Sequence, residues 1–537
     1  MKNDPASAYT RYMRARAADV AGRSELAAAQ YAAALQETPG NIALALRVYR
    51  QATLAGDEQL ALQSAEMLDK AGALPPDGRL LLLADAVRRK DWRGAEATAT
   101  RIDQEKVFSF LTPIVRAWIT YGSGGDNPTA SLANLSGSAL SNAYGADHRA
   151  LILLAQGKRS DAAAVIKVQP TGSDIRDVRP RLLLAQSMVA AGDRDSALAI
   201  LSGADSASTA MRGRIAAGER LKEPRIDAAF GLSQLLLSVA IDLNRESATP
   251  LSVALAQIAT FAAPDNSEAM LATVQLLTMA GRGDAALAIL DQVKPDDPLI
   301  SAARIARVRI LVNREENQAA LDEMLRVTAQ PDASVSHWTL LGDISASLDK
   351  PNEAANAYDR AIGLIPPDDK QDERLWTLWL LKGSVLEQSG RWPEAEAALR
   401  KSLALSPGQA VTLNHLGYSL LEHGGDLQEA LTLIEKASKL RPDDAAITDS
   451  LGWAHYLQGD IAAAIPKLEA AAEGEPGGSE INEHLGDAYW KAGRRIEARY
   501  AWRAASVTAD EPAAKRLSEK IAHGLESARL AQSEAAP

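Results

Sequence analysis

Residues 445–476 read AAITDSLGWAHYLQGDIAAAIPKLEAAAEGEP, and this stretch decides the fold. Gly452 lies in the first of two apolar-periodic segments, and Ala464 lies in the second. Gly459 separates the segments, where a glycine readily adopts the left-handed conformation that ends a helix. Pro476 follows the second segment and prevents it from continuing. The stretch therefore predicts two helices joined by a short turn.

The same pattern recurs along the chain with a nearly constant period. In each clear copy, a glycine is followed five positions later by a small residue. The positions in this register are Ala27, Ala61, Ala95, Ala130, Ala162, Ala197, Ser252, Ala286, Ala320, Ala354, Ala395, Ala430, Ala464 and Ala498. Ten of their thirteen successive spacings are 34 or 35 residues. The 537 residues therefore form about fourteen copies of one small unit rather than three or four ordinary domains.

Further residues recur within the best copies. They are Trp338, Leu341, Gly342, Ala354, Tyr358, Ala361 and Pro366 in one copy, and Leu485, Gly486, Tyr489, Ala498, Trp502 and Ala505 in another. This sequence resembles the tetratricopeptide-repeat family over nearly its full length, and most strongly over 333–506. The resemblance implies an all-α fold, an α-solenoid (superhelix) of helix-turn-helix units in which each unit buries its apolar face against its neighbours.

Departures from the period suggest where the array bends or ends. The largest step, 55 residues, spans the polar stretch 206–225, which we interpret as a break between an N-terminal arm, 8–205, and a C-terminal arm, 226–506. One continuous superhelix with a bulge there is the alternative. A 41-residue step contains a polar insertion at 366–372. We expect a capping helix and tail over 507–537, because apolar residues recur there at four-residue spacing: Leu517, Ile521 and Leu525.

Composition excludes several partners and chemistries. With 69 acidic against 58 basic residues, the net charge is −11, which argues against nucleic acid as the main partner. The absence of cysteine excludes disulfides, thiolate metal sites and a lipid anchor on cysteine. No apolar run reaches the roughly 18 residues of a membrane span. Without an N-terminal apolar segment the chain is expected to be cytoplasmic as given, or periplasmic or in the cell envelope if a leader has been removed.

Enzyme signatures are absent from the sequence. There is no P-loop, no nucleophile elbow and no zinc-binding His-Glu-x-x-His helix, and no histidine has a second ligand at metal spacing. No stretch outside the repeats is long enough for a catalytic domain, which argues against an enzyme fused to repeats. We therefore expect no catalytic residues, no cofactor and no metal site.

The resemblance places the candidate binding site on the first helices of the C-terminal repeats, which line a concave groove in this family. Residues three before and one after the small glycine should point into that groove, and others lie one turn beyond. Seven of the nine tryptophans follow residue 337, and aromatic anchors favour peptide binding. The predicted groove residues are Asn414, Tyr418, Asp449, Trp453, Tyr456, Glu483, Asp487 and Trp490. The alternative is that some of these aromatic residues pack against the next repeat.

The groove also suggests the character of the partner. Some family members bind the carboxylate tail of chaperones through lysine, asparagine and arginine. The matching positions here hold Asp449, Glu483 and Asp487, so an extended or helical segment fits better, neutral to basic and with apolar side chains.

Two functional interpretations follow. The first is a non-catalytic scaffold or adaptor for protein interactions. The blocks at 414–418, 449–453 and 482–490 resemble a group of long bacterial repeat proteins, many of them in the cell envelope. That resemblance implies, as a narrower alternative, an adaptor that delivers substrates to a carboxyl-terminal processing protease. The second interpretation is a self-assembling structural protein or an enzyme fused to repeats. An open array can stack on itself, and the sequence leaves the oligomeric state open.

Overall fold

The computed structural model describes residues 5–132, 135, 139–167, 175–201, 206–247, 249–295, 297, 299–331, 333–366 and 372–525. Over these residues the chain forms α-helices and two short 3-10 turns, with no β-strand. The predicted all-α fold is confirmed. Most of the predicted insertion (367–371) and the end of the predicted tail (526–537) lie outside the described residues.

The helices belong to two compact units, Met1–Asn313 and Arg314–Pro537. The first unit contains α1 Pro5–Val20, α2 Ser24–Glu37, α3 Ile42–Ala55, α4 Glu58–Lys70, α5 Pro76–Arg88, α6 Trp92–Glu105, α7 Thr112–Gly122, α8 Ala139–Ala155, α9 Arg159–Lys167, α10 Ile175–Ala190, α11 Arg194–Ile200, α12 Ser206–Ala216, α13 Ala228–Arg245, α14 Thr249–Ala262, α15 Ser267–Met279, α16 Gly283–Leu290 and α17 Ile300–Asn313. The second contains α18 Asn317–Thr328, α19 Val335–Ser347, α20 Pro351–Gly363, α21 Arg374–Gln388, α22 Trp392–Leu405, α23 Ala410–Glu422, α24 Leu427–Leu440, α25 Ala445–Gln458, α26 Ile461–Gly474, α27 Ser479–Lys491, α28 Arg495–Ala505 and α29 Glu511–His523.

Consecutive helices pack as hairpins, seven in the described part of the first unit and five in that of the second. Two predicted copies differ from this pattern. Ala130 lies exposed in a 3-10 turn, Ala130–Leu132, so the described residues of its copy form no second α-helix. The copy around Ala320 has its two helices, α17 and α18, in different compact units.

The register residues explain why the hairpins pack so closely. Thirteen of the fourteen are fully buried, and Ala130 is the exception. On the first helix of a hairpin, Gly452 faces Leu468 so closely that an added Cβ would lie 2.7 Å from the Leu468 Cγ atom. Gly459 ends α25 with φ +85°, as expected for a left-handed cap. Small residues therefore set the separation between the paired helices.

The first unit is organised around α13. This helix buries eleven residues spread around its whole circumference, as an internal helix does. It packs against α5, α7 and α8, while α14 packs against α3 and α5. Gly231 on α13 lies against the indole of Trp118, where an added Cβ would be 2.1 Å from Cε2. The inner side of this array is therefore filled by the chain itself.

These contacts group the chain differently from the predicted arms. The stretch 206–225, expected to be a linker, contains the helix α12, which buries Met211 and Ile215. The helices α13 and α14 pack on earlier helices of the same unit because their apolar surface extends all the way round. The separation into 8–205 and 226–506 as independent arms stays a prediction.

The C-terminal helix α29 covers the last hairpin. Leu517 is fully buried and Leu525 nearly so, beside the partly buried Ile521. These residues pack with Trp490 and Trp502 in one cluster. The predicted capping helix is therefore present, with its apolar stripe turned inward.

Candidate functional site

A cleft of about 550 Å³ lies where α23, α25 and α27 run side by side. These are the first helices of three consecutive hairpins, so equivalent positions recur across the cleft every 34 or 35 residues. Its lining residues are Val411, Asn414, His415, Tyr418, Arg441, Asp444, Ala446, Ile447, Asp449, Ser450, Glu475, Gly478, Ser479, Glu480 and Ile481.

Asp449 is the most deeply placed carboxylate of the cleft, only 5% exposed. One of its oxygens, Oδ2, lies 2.9 Å from Nδ1 of His484. The other, Oδ1, is buried without a hydrogen-bond partner among the described residues, and so is Oδ1 of Asn414. Buried acceptors in native proteins nearly always have partners, so these two oxygens need an explanation.

An aromatic stack borders the cleft. The indole of Trp453 lies parallel to the ring of His484 at 4.0 Å and to that of Tyr456 at 4.7 Å. Its Nε1 donates to Oε1 of Glu422 at 3.1 Å. Burial alone would lower the pKa of His484, but the charge of Asp449 and its hydrogen bond outweigh burial and raise it. The stack therefore holds His484 against Asp449.

Tyr418 closes one side of the cleft. Its hydroxyl donates to Glu480 from the hairpin two repeats further along. Burial and the nearby charge of Glu480 raise the pKa of the Tyr418 phenol well above its usual value. The phenol therefore stays protonated and serves as a hydrogen-bond donor.

The two carboxylates predicted on α27 already have partners. Arg516 of α29 binds Glu483 through two bonds, Nε to Oε1 at 2.8 Å and Nη2 to Oε2 at 2.7 Å. Lys520 Nζ lies 2.8 Å from Glu483 Oε1 and 2.7 Å from Asp487 Oδ2. Burial opposes ionisation of Glu483, but Arg516 and Lys520 prevail and lower its pKa to about 2.

Trp490 belongs to the same covered region. Its indole packs 5.3 Å from that of Trp502 and is 8% exposed. Gly524, just after α29, fits against it so closely that an added Cβ would lie 2.1 Å from Cζ2. The guanidinium of Arg495 lies 3.8 Å from the ring centroid. Trp490 therefore joins the last repeat to its capping helix.

The structure thus separates the eight predicted groove residues into three groups. Asn414, Tyr418 and Asp449 line the cleft. The second group is an aromatic pair. Trp453 borders the cleft through the stack, and Tyr456 is buried among Leu468 and Leu485. A third group lies under α29: Glu483, Asp487 and Trp490.

Sequence reasoning missed His484, Glu480 and the apolar cleft residues Val411, Ile447 and Ile481. One signal was available for His484. It follows Asp449 by 35 residues, one more than the step from Gly452 to Gly486, so the stacking of units brings the two side chains together.

A second polar cluster lies beside the cleft. The carboxylate of Glu387 is shared by His415 Nε2 at 2.9 Å, His423 Nε2 at 3.1 Å and the hydroxyl of Ser419 at 3.0 Å. Trp392 stacks on His423 at 4.3 Å. Burial opposes ionisation of Glu387, but hydrogen bonds from His415 and Ser419 lower its pKa. The cluster fixes α21 against α23.

Comparison with known proteins identifies the repeat in the C-terminal part of the chain. The tetratricopeptide repeat family matches residues 370–410, 416–479 and 450–514, the region of the hairpins that form the cleft. The hairpins between residues 370 and 514 are therefore tetratricopeptide repeats. Gly452 and Ala464, two of the repeat residues identified in the sequence, lie inside the matched region, where Gly452 packs against Leu468 and Ala464 is fully buried.

Three of the proteins similar to this chain match different shares of it. The tetratricopeptide repeat protein 21 homolog of Caenorhabditis elegans is 26% identical over 141 residues, which are 26% of this chain and 10% of that protein. A tetratricopeptide repeat protein from Parabacteroides merdae has a TM-score of 0.39 at 13% identity, covering 47% of this chain and 96% of its own. One chain of the APC/C hetero-tetramer Cut9-Hcn1 has a TM-score of 0.38 at 15% identity. The match covers 84% of this chain and 98% of that one.

None of the helices in the described residues combines the length and apolar character needed to cross a bilayer. Within that same part of the chain, no three histidine, aspartate or glutamate side chains converge as metal ligands would.

Proposed function

We propose that this tetratricopeptide-repeat protein is a non-catalytic interaction scaffold that binds a segment of a partner protein in the cleft between α23, α25 and α27. Tetratricopeptide-repeat proteins generally mediate protein–protein interaction, and stacked repeats offer extended surfaces for it. The observation that carries the proposal is the pair of buried, unpartnered oxygens of Asn414 and Asp449 in the wall of an open cleft.

The cleft has the composition of a peptide-binding surface. Val411, 42% exposed, lies with Ile447 and Ile481 among the polar lining residues. Trp453 and Tyr418 add aromatic surface at the border with polar ends already held in place. Apolar contact area with a few fixed polar groups suits recognition of one segment over others.

Selection of peptides from a random displayed library against the full chain tests this proposal. Val411→Arg fills the cleft from an exposed position, so it should weaken binding of the selected peptides by about tenfold or more. The matched control is Val507→Arg, a position 82% exposed and away from the cleft, which should leave binding unchanged. Equal binding to the wild-type chain and both variants would contradict the proposal.

A further inference from the structure

The helix α29 is an internal example of a segment bound to this repeat surface. It meets α27 at Glu483 and Asp487, the positions three before and one after Gly486. The contact is made by Arg516 and Lys520, four residues apart and therefore on one helix face. The repeat surface thus accepts a helix that carries basic side chains next to apolar ones.

On α25, only one of the two equivalent positions holds a carboxylate. Asp449 precedes Gly452 by three residues, as Glu483 precedes Gly486. His484 satisfies Oδ2 of Asp449, but Oδ1 is buried in the cleft wall without a partner. In α27 every carboxylate oxygen of Glu483 and Asp487 has a cationic partner.

The charge of the cleft points to the same ligand chemistry. Asp444, Glu475 and Glu480 line it together with Asp449, whereas Arg441 is the one lysine or arginine among the lining residues. An acidic wall that contains an unsatisfied buried carboxylate oxygen favours an ammonium or guanidinium group.

We propose that the cleft binds an α-helical segment of another protein that directs a lysine or arginine side chain onto Asp449, as α29 directs Lys520 onto Glu483 and Asp487. Apolar residues on the same face of that segment pack on Val411, Ile447 and Ile481. This inference rests on the proposed function, since it specifies the ligand of the same cleft.

The probe is a fluorescently labelled synthetic peptide with the sequence of residues 510–525, titrated into the full chain and followed by anisotropy. We expect saturable binding that Asp449→Asn weakens by about tenfold or more, because the basic side chain loses its charged partner. Asp443→Asn removes the same charge at an exposed position outside the cleft and should leave binding unchanged. In the peptide, Arg516→Gln with Lys520→Gln should weaken binding to the wild-type chain as much as Asp449→Asn does.

Other outcomes overturn the inference in distinguishable ways. Binding lost with Glu483→Gln but not with Asp449→Asn would mean that the peptide only exchanges with α29. No saturable binding of the peptide would refute the basic-helix ligand. If library-selected peptides still depend on Val411 but not on Asp449, the proposed function stands and this inference fails. If no peptide depends on Val411, the proposed function fails as well.

Discussion

The ammonium group of Lys520 lies 2.7 Å from Oδ2 and 2.8 Å from Oδ1 of Asp487, and both side chains are less than a tenth exposed. The pair joins α29 to α27 at the end of the repeat array. Trp502 Nε1 adds a third hydrogen bond to Asp487 at 2.9 Å. Because the charges are buried together, losing one of them leaves the other without compensation.

Lys520→Met should therefore destabilise the C-terminal hairpin markedly. The substitution keeps the apolar stem but leaves Asp487 buried without its cation, which costs about 3 kcal/mol in the free energy of unfolding. This change in the free energy of unfolding is measured by urea unfolding followed by tryptophan fluorescence, together with hydrogen exchange across α29. The control Lys515→Met removes an exposed lysine of the same helix and should have little effect. Equal stability of the two variants would argue against the buried pair.

Glu483 predicts a loss of stability in acid. Its pKa is about 2 in the folded chain and 4.5 unperturbed, so the unfolded state binds the proton first as pH falls. Glu483 contributes on the order of 3 kcal/mol to the free energy of unfolding. This contribution is fully present above about pH 4.5 and is lost as the pH falls towards 2. Unfolding free energies measured across this range should decline less steeply for Glu483→Gln. For Glu473→Gln, an exposed change on α26, the free energy of unfolding should decline as steeply as it does for the wild type.

His484 predicts the opposite dependence near neutral pH. Its pKa is raised in the folded chain by Asp449, so the folded state holds the proton more tightly than the unfolded state. The stabilisation is fully present below the unperturbed pKa of 6.5 and is lost as pH rises through the folded value. NMR titration of the imidazole should give a value above 6.5. His484→Gln should flatten the pH dependence of stability in this range, and the exposed His523→Gln should not.

Gly486→Ala should destabilise the last hairpin although alanine favours helices. An added Cβ would lie 2.3 Å from Cδ1 of Trp502, and such overpacking costs about 1–3 kcal/mol. Gly363 is also helical, but a Cβ added there would meet nothing within 4 Å beyond its chain neighbours and its own helix backbone, so Gly363→Ala should be neutral or slightly stabilising. Thermal unfolding of both variants compares the two effects. A neutral Gly486→Ala would mean that Trp502 can move aside.

The sequence predicted the structure best at positions where packing permits only one type of residue. The register alanines pack where two helices touch, so a small residue is required at a fixed period. The recurring alanines, such as Ala464 and Ala498, are therefore fully buried at the positions that the period marks. The capping helix was predicted for a similar reason, since Leu517 and Ile521 form a stripe of helical period.

The rest depended on contacts that have no period. The prediction placed Glu483 and Asp487 in an open groove because their spacing matches that of Asn414 and Tyr418. Their partners lie on α29, about 30 residues further along, and only the packing of that helix brings them into contact. The internal position of α13 was missed because Ser252 precedes Ala286 by the usual 34 residues, so α13 and α14 have the spacing of an ordinary copy.

The burial of α13 and α14 has a consequence for how the first unit forms. In an ordinary solenoid each repeat needs only its neighbours, so folding can start anywhere and spread. Here the side chain of Gln257 donates to the carbonyl of Leu54, 203 residues earlier in the chain. During synthesis, helices α3 and α5 leave the ribosome long before the helices that cover them. Since synthesis adds roughly 5–20 residues per second, their apolar sides remain exposed for about 10 s or more. This half of the protein is therefore the part that we expect to need a chaperone while it is being made.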